Sequence, residues 1–132
     1  MGYITKFDGQ FEFNRLLTKK EKQAMQILYD TRHEDGYDLN GKPSIWCQWI
    51  VDSHKGTDYL IWDGHEKFYS YIDWLEYLIK YFFKPNNLSI TGRMRWRGEE
   101  FDDMGTINVE DNVIEVEEFV RSGLTRGTGL CN

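Results

Sequence analysis

The residues Leu88-Ser89-Ile90-Thr91-Gly92-Arg93-Met94-Arg95-Trp96-Arg97 hold the clearest chemical signal in the chain. Leu88, Ile90, Met94 and Trp96 alternate with Ser89, Thr91, Arg93, Arg95 and Arg97, and successive side chains of a strand point to opposite faces. The pattern predicts a half-buried strand that shows Arg93, Arg95 and Arg97 to water, about 6–7 Å apart. Guanidinium forks hold phosphates and carboxylates bidentately, so the stripe is a candidate anion-binding surface. An exposed tryptophan beside it would add a stacking platform for a base ring. Trp46 is the candidate, because Trp46 and Trp49 sit three apart on a predicted strand and face opposite ways. The same alternation also fits a cross-strand charge ladder. If Trp96 pairs with Ile107, then Arg95 opposes Asn108 and Arg93 opposes Glu110, with Glu115 one strand further.

Two other clusters have reactive residue types. In Trp62-Asp63-Gly64-His65-Glu66-Lys67-Phe68-Tyr69, His65 with Glu66 or Asp63 has the makings of a general base and its orienter. Neighbours on a turn seldom converge on one point, and no nucleophile motif of the G-x-S-x-G kind accompanies them. Glu99-Glu100-Phe101-Asp102-Asp103 gathers carboxylates that suit Mg²⁺ or Ca²⁺, and Glu99 with Asp103 has acid–base chemistry. The run lacks the alternation of an EF-hand loop, and a solvated hairpin loop is the simpler reading. His33 and His54 are isolated, without zinc spacing, and phosphate-cradling glycine loops are absent. Neither a metal nor a cofactor is expected.

Positioning these groups takes a sheet and two helices. Residues 3–13 are strand material interrupted by Asp8-Gly9, either a hairpin or one strand with a bulge at Gly9. Thr18 and Glu21 form a capping box, and the helix behind it turns Ala24, Ile27, Leu28 and Thr31 inward before ending near His33. Residues 34–43 are loop. Residues 44–51, apolar on both faces, predict a central strand, followed by a loop over 52–58 and a return strand over 59–62. Tyr71, Trp74, Leu75, Leu78, Ile79, Phe82 and Phe83 keep helical spacing, with Ser70 as N-cap and Pro85 as the stop. A last hairpin turns at Asp111-Asn112, which sets Val109 opposite Ile114 and Ile107 opposite Val116. The order β-α-β-β-α-β-β-β predicts an α+β fold: an antiparallel sheet with two helices on one face, ferredoxin-like with extra strands. Residues 1–120 make one domain, and 121–132 read as a flexible tail.

Composition narrows the function. A net charge of −6 argues against direct nucleic-acid binding, whose affinity rests on neutralising phosphates. Cys47 and Cys131 are too few for a disulfide framework and read as free thiols. The first residues have no apolar signal core, and no run approaches the ~20 apolar residues of a membrane span. A cytoplasmic protein with no membrane partner is expected. Tyr77 and Tyr81, on the outer side of the second helix, hint at a homo-oligomer.

Four pieces together carry a resemblance. They are Ser44-Ile45-Trp46-Cys47-Gln48-Trp49, Trp62-Asp63-Gly64-x-Glu66-Lys67-Phe68-Tyr69 and Trp74-Leu75-Glu76-Tyr77-Leu78-Ile79. The last is Gly92-x-x-x-Trp96-x-Gly98-Glu99-x-x-x-Asp103-x-Gly105-x-Ile107-x-Val109-x-Asp111-Asn112. Over residues 2–116 the chain resembles a family of small uncharacterised phage and mobile-element proteins. The resemblance implies a compact accessory protein in the host cytoplasm, of a kind that blocks host defence by binding. The expected function is therefore non-enzymatic capture of a nucleotide-like small molecule, or of a host protein, through Arg93, Arg95, Arg97 and Trp46. An acidic protein–protein inhibitor and a small enzyme using His65 and Glu66, or Glu99 and Asp103, are the alternatives.

Overall fold

The computed structural model describes residues 4–32, 46–65, 68 and 70–119, together with the backbone of 125–127. In chain order these form β1 (Thr5–Phe13), α1 (Lys19–Asp30), β2 (Trp49–His54), β3 (Thr57–Trp62) and α2 (Tyr71–Leu78). They continue through β4 (Ile90–Gly98), β5 (Met104–Glu110), β6 (Val113–Phe119) and β7 (Thr125–Gly127). One antiparallel sheet takes them in the order β2-β3-β1-β4-β5-β6-β7. An antiparallel sheet with two helices is thus the class observed, as the sequence predicts. β3 separates β1 from β2, and β1 separates β3 from β4, so the β1-α1-β2 and β3-α2-β4 units interleave. Apart from β7, residues 120–132 lie outside the described residues, as does the predicted loop over 34–43. No helix among the described residues is long and apolar enough to cross a membrane.

One core serves the whole sheet. Met25 from α1 and Trp74, Leu75 and Leu78 from α2 join Phe7, Phe11, Phe13, Met94, Trp96 and Ile107 from the strands. Burying a side chain of this size contributes about 1.5–3 kcal/mol. The Phe7 ring alone meets Trp49, Trp62, Phe68 and Tyr71 at centroid distances of 5.6, 5.3, 5.9 and 4.9 Å. The high aromatic content is spent there.

Several local expectations need correction. β1 is a single unbroken strand, with Gly9 directly opposite Met94, so there is neither hairpin nor bulge. β2 begins at Trp49 and lies at the edge of the sheet, not its centre. Of its two faces, Trp49 and Val51 turn towards the core, while Ile50, opposite Ile61, is only partly covered on the other. The β2–β3 connection is only Lys55 and Gly56, both at positive φ (50° and 80°), and the residues around them extend the strands. Ser70 precedes α2 in a left-handed conformation and makes no side-chain cap. Beyond Leu78 the helix widens into a π-helical turn over Ile79–Phe83, then ends at Asn87, also left-handed.

The phase of α1 differs too. The capping box forms as predicted, but Ala24 is exposed and Ile27 is 64% exposed. The helix buries Met25 and packs Leu28, as expected, against the core, with Lys22 and Tyr29 on the same side reaching Ser53 and Asp63, a face rotated from the expected stripe. Two of those four are polar, which hid the face from a hydrophobicity count. Specific bonds select it: the Lys22 ammonium donates to Ser53 Oγ at 3.0 Å, and the Tyr29 hydroxyl donates to Asp63 at 2.9 Å.

Two acids tie the helices down. Arg15 grips both oxygens of Glu21 (2.9 and 3.0 Å) and donates to the Asn86 carbonyl at 2.6 Å, joining the start of α1 to the helical turn Lys84–Asn86 that follows α2. The Arg15 bond, aided by the cap, brings the Glu21 carboxyl down to about 2 against the opposing effect of burial. Burial works to raise the Asp58 carboxyl as well, but Ser53, the Leu17 N–H and Lys22 outweigh it and the net direction is down. Both groups ionise more readily folded than unfolded, so their contribution is complete above the ordinary values of 4.5 and 3.8 and drains as pH falls, for Glu21 through about 2. Urea unfolding from about pH 6 to about pH 2 is expected to show this fall, and Glu21→Gln is expected to flatten part of it.

Candidate functional site

β4 buries Met94 and Trp96 and shows Arg93, Arg95 and Arg97 to solvent. Their neighbours differ from those of the expected ladder. Trp96 faces Gly105, not Ile107, so Arg95 opposes Thr106 and Arg93 opposes Asn108. A slip of two residues keeps every side chain on its face, so alternation alone does not detect it. Trp96 sets the register. Its indole lies across Gly105, where any Cβ would collide with the ring and with the Glu117 carbonyl, and its Nε1–H donates to Asp103 at 3.0 Å. Arg93 Nε donates to Asn108 at 2.9 Å, and Arg95 reaches back to Asp8 on β1 at 3.1 Å. Both members of the Arg95–Asp8 pair are largely exposed, so the pair contributes little.

Arg97 is different. Across β1 its direct partner is Lys6, and across β5 it is Met104, which in turn faces Phe119. Like charges placed directly opposite each other destabilise a sheet by about 0.2–1 kcal/mol. Among the described residues no carboxylate forms an ion pair with either cation. The row Lys6–Arg97–Met104–Phe119 therefore runs from two cations to two apolar side chains across about 14 Å. With Asp8 and Arg95 it lines an open recess of about 420 Å³, where the charged groups among the described residues sum to +2. Lys6, Met104 and Phe119 were missed by sequence reasoning. Lys6 does alternate with Phe7 in an outward pattern, but nothing local states that β1 pairs with β4.

The four candidate ligand residues do not share a site. Arg95 and Arg97 line the recess just described. Arg93 lines a neighbouring one of about 720 Å³ with Asn108, Glu110, Asp111 and Glu115, a more acidic setting. Trp46, 45% exposed, precedes β2 at the far edge, with β3 and β1 lying between β2 and β4. It lines a recess of about 340 Å³ with Tyr29, Asp30, Cys47, Gln48, Asp63 and His65.

In that recess His65 and Asp63 do converge. Gly64 turns the chain at φ 86°, Asp63 Oδ1 accepts the His65 backbone N–H at 2.9 Å, and Asp63 Oδ2 lies 2.8 Å from His65 Nδ1. Asp63 is therefore the orienting partner, and Glu66 lies outside the described residues. The thiol that lines this recess, Cys47, is buried, which pushes it up to about 12 and away from the reactive thiolate form. Glu99 and Asp103 have separate duties: Glu99 accepts the Ile4 N–H at 2.7 Å while Asp103 holds Trp96. Among the described residues no three metal-ligating side chains gather.

Fold and site together define an α+β protein with an open cationic recess on the face of its sheet turned away from α1 and α2. No family model, curated protein or solved structure matches the chain.

Proposed function

We propose that this chain is a binding protein that captures a nucleotide-like anion in the Lys6–Arg97 recess. The observation that carries the reading is the like-charged pair itself, held opposite one another at a cost in stability. Natural proteins break such local rules chiefly at functional sites. A phosphate monoester relieves the repulsion, and its charge balances the +2 of the lining groups. Met104 and Phe119, on the same row, supply an apolar bed for a ring. The volume, about 420 Å³, is that of a small-molecule site. The interleaved β1-α1-β2 and β3-α2-β4 units support reading the frame as ferredoxin-like, with β5 and β6 added to bring in the apolar half. The further step, to a phage counter-defence protein, rests on the sequence resemblance.

Calorimetric titration with adenosine monophosphate, adenosine and inorganic phosphate tests the reading. The nucleotide is expected to bind at least about tenfold more tightly than either half, a difference of about 1.4 kcal/mol. A protein that binds none of the three, or whose affinity survives Arg97→Ala unchanged, does not use this recess.

A further inference from the structure

We infer that the recess around Trp46 is a second, independent site that takes an organic cation, an ammonium or guanidinium group. The inference starts from a fixed tautomer. Asp63, with its side chain 4% exposed, can only accept, so in the neutral imidazole the His65 proton sits on Nδ1 and points at Asp63 Oδ2, 2.8 Å away. His65 Nε2 is then an acceptor. The Tyr29 hydroxyl also spends its proton on Asp63, at 2.9 Å, and leaves lone pairs behind. The exposed Asp30 carboxylate, bonded by Gln26 at 3.2 Å, adds two acceptor oxygens, and among the described residues no Lys or Arg lines the recess.

With the imidazole neutral, His65, Tyr29 and the carboxylates thus offer lone pairs, and among the described residues the carboxylates Asp30 and Asp63 give the lining a charge of −2. Trp46 completes it. The indole is 45% exposed, and among the described residues no aromatic ring or cation lies against it. An indole face beside carboxylates favours a cation over a neutral ligand, through attraction to both the ring and the charge. A protein of net charge −6 also draws cations towards itself from a distance. The Trp46 site has the opposite sign to the Lys6–Arg97 recess, so the two stand or fall separately.

The test follows the Trp46 indole N–H by ¹H–¹⁵N NMR, identified by its loss in Trp46→Phe. The probes are N-acetyl-arginine amide, its neutral isostere N-acetyl-citrulline amide and a short peptide carrying one arginine. The arginine amide is expected to shift the signal, with the citrulline amide at least about tenfold weaker. Asp30→Asn, read on this signal, and Trp46→Ala, read on the His65 backbone N–H because the indole reporter is gone, are each expected to weaken binding about three- to tenfold. A peptide that binds far more tightly than the amide identifies the cation as a partner protein's side chain, whereas equal affinities identify a free small cation. Equal response to citrulline, no shift with any probe, or indifference to both substitutions overturns the inference. Adenosine monophosphate binding is expected to be untouched by Trp46→Ala.

Discussion

Gly9→Ala is expected to remove about 4 kcal/mol of stability, a large part of the 5–15 kcal/mol that holds a typical domain together. Gly9 lies in the middle of β1 at φ 127°, a conformation that L side chains rarely adopt. A Cβ there would stand 3.0 Å from Met94 Cα and closer still to the Arg93 carbonyl oxygen. Neither neighbour can yield cheaply, because β1 and β4 pair in register over nine residues in the interior of the sheet. Backbone strain costs about 1–3 kcal/mol and overpacking about as much again. In a melt this corresponds to a drop of more than about 10 °C. Gly64→Ala is the control, since Gly64 has a positive φ of 86° with nothing within 4 Å of a new Cβ. It is expected to cost only about 1 kcal/mol. Urea unfolding of both variants decides the matter, and equal losses would mean that close approach of β1 and β4 contributes nothing.

Arg97→Glu is expected to act in opposite directions on stability and binding. In the free protein it turns the Lys6–Arg97 repulsion into a cross-strand attraction. Stability should rise by about 0.5–1 kcal/mol, an unusual result for a charge reversal on a strand. The same change sets a carboxylate where the phosphate binds. Losing a charge-assisted hydrogen bond and gaining a repulsion is worth at least about 2.7 kcal/mol, or about a hundredfold in affinity for adenosine monophosphate. Denaturation and calorimetry on one preparation measure both. A variant that loses stability and keeps its affinity would show Arg97 to be structural. Arg95→Glu should differ, because Arg95 already has Asp8 at 3.1 Å, and its reversal creates a new repulsion in the free protein.

Much of the local structure was legible in the chain. The β4 alternation, the Thr18–Glu21 capping box and the turn at Asp111-Asn112 all depend on residues within a few positions of each other. So did the pairing of Val109 with Ile114 and Ile107 with Val116, because a two-residue turn dictates the register of its own hairpin. Longer-range features were not. The inward face of α1 was chosen by Lys22 bonding to Ser53 in β2 and Tyr29 to Asp63 just past β3, and no hydrophobic count weighs such bonds. The β4–β5 register turned on an indole lying over Gly105, a contact between strands.

For the function, sequence alone determined which residues carry charge and which face of their strand they occupy, because a side-chain period of two needs no knowledge of neighbours. It singled out Arg93, Arg95, Arg97, Trp46 and His65 as the groups with chemistry to offer. Tertiary structure decided their company. The strand order brought Lys6 and Phe119 to Arg97, gave Arg95 to Asp8, and carried Trp46 away to His65, Asp63 and Asp30. Strand order and register follow from which buried surfaces and bonds the folded sheet satisfies together, and that sum exists only once the whole chain has packed.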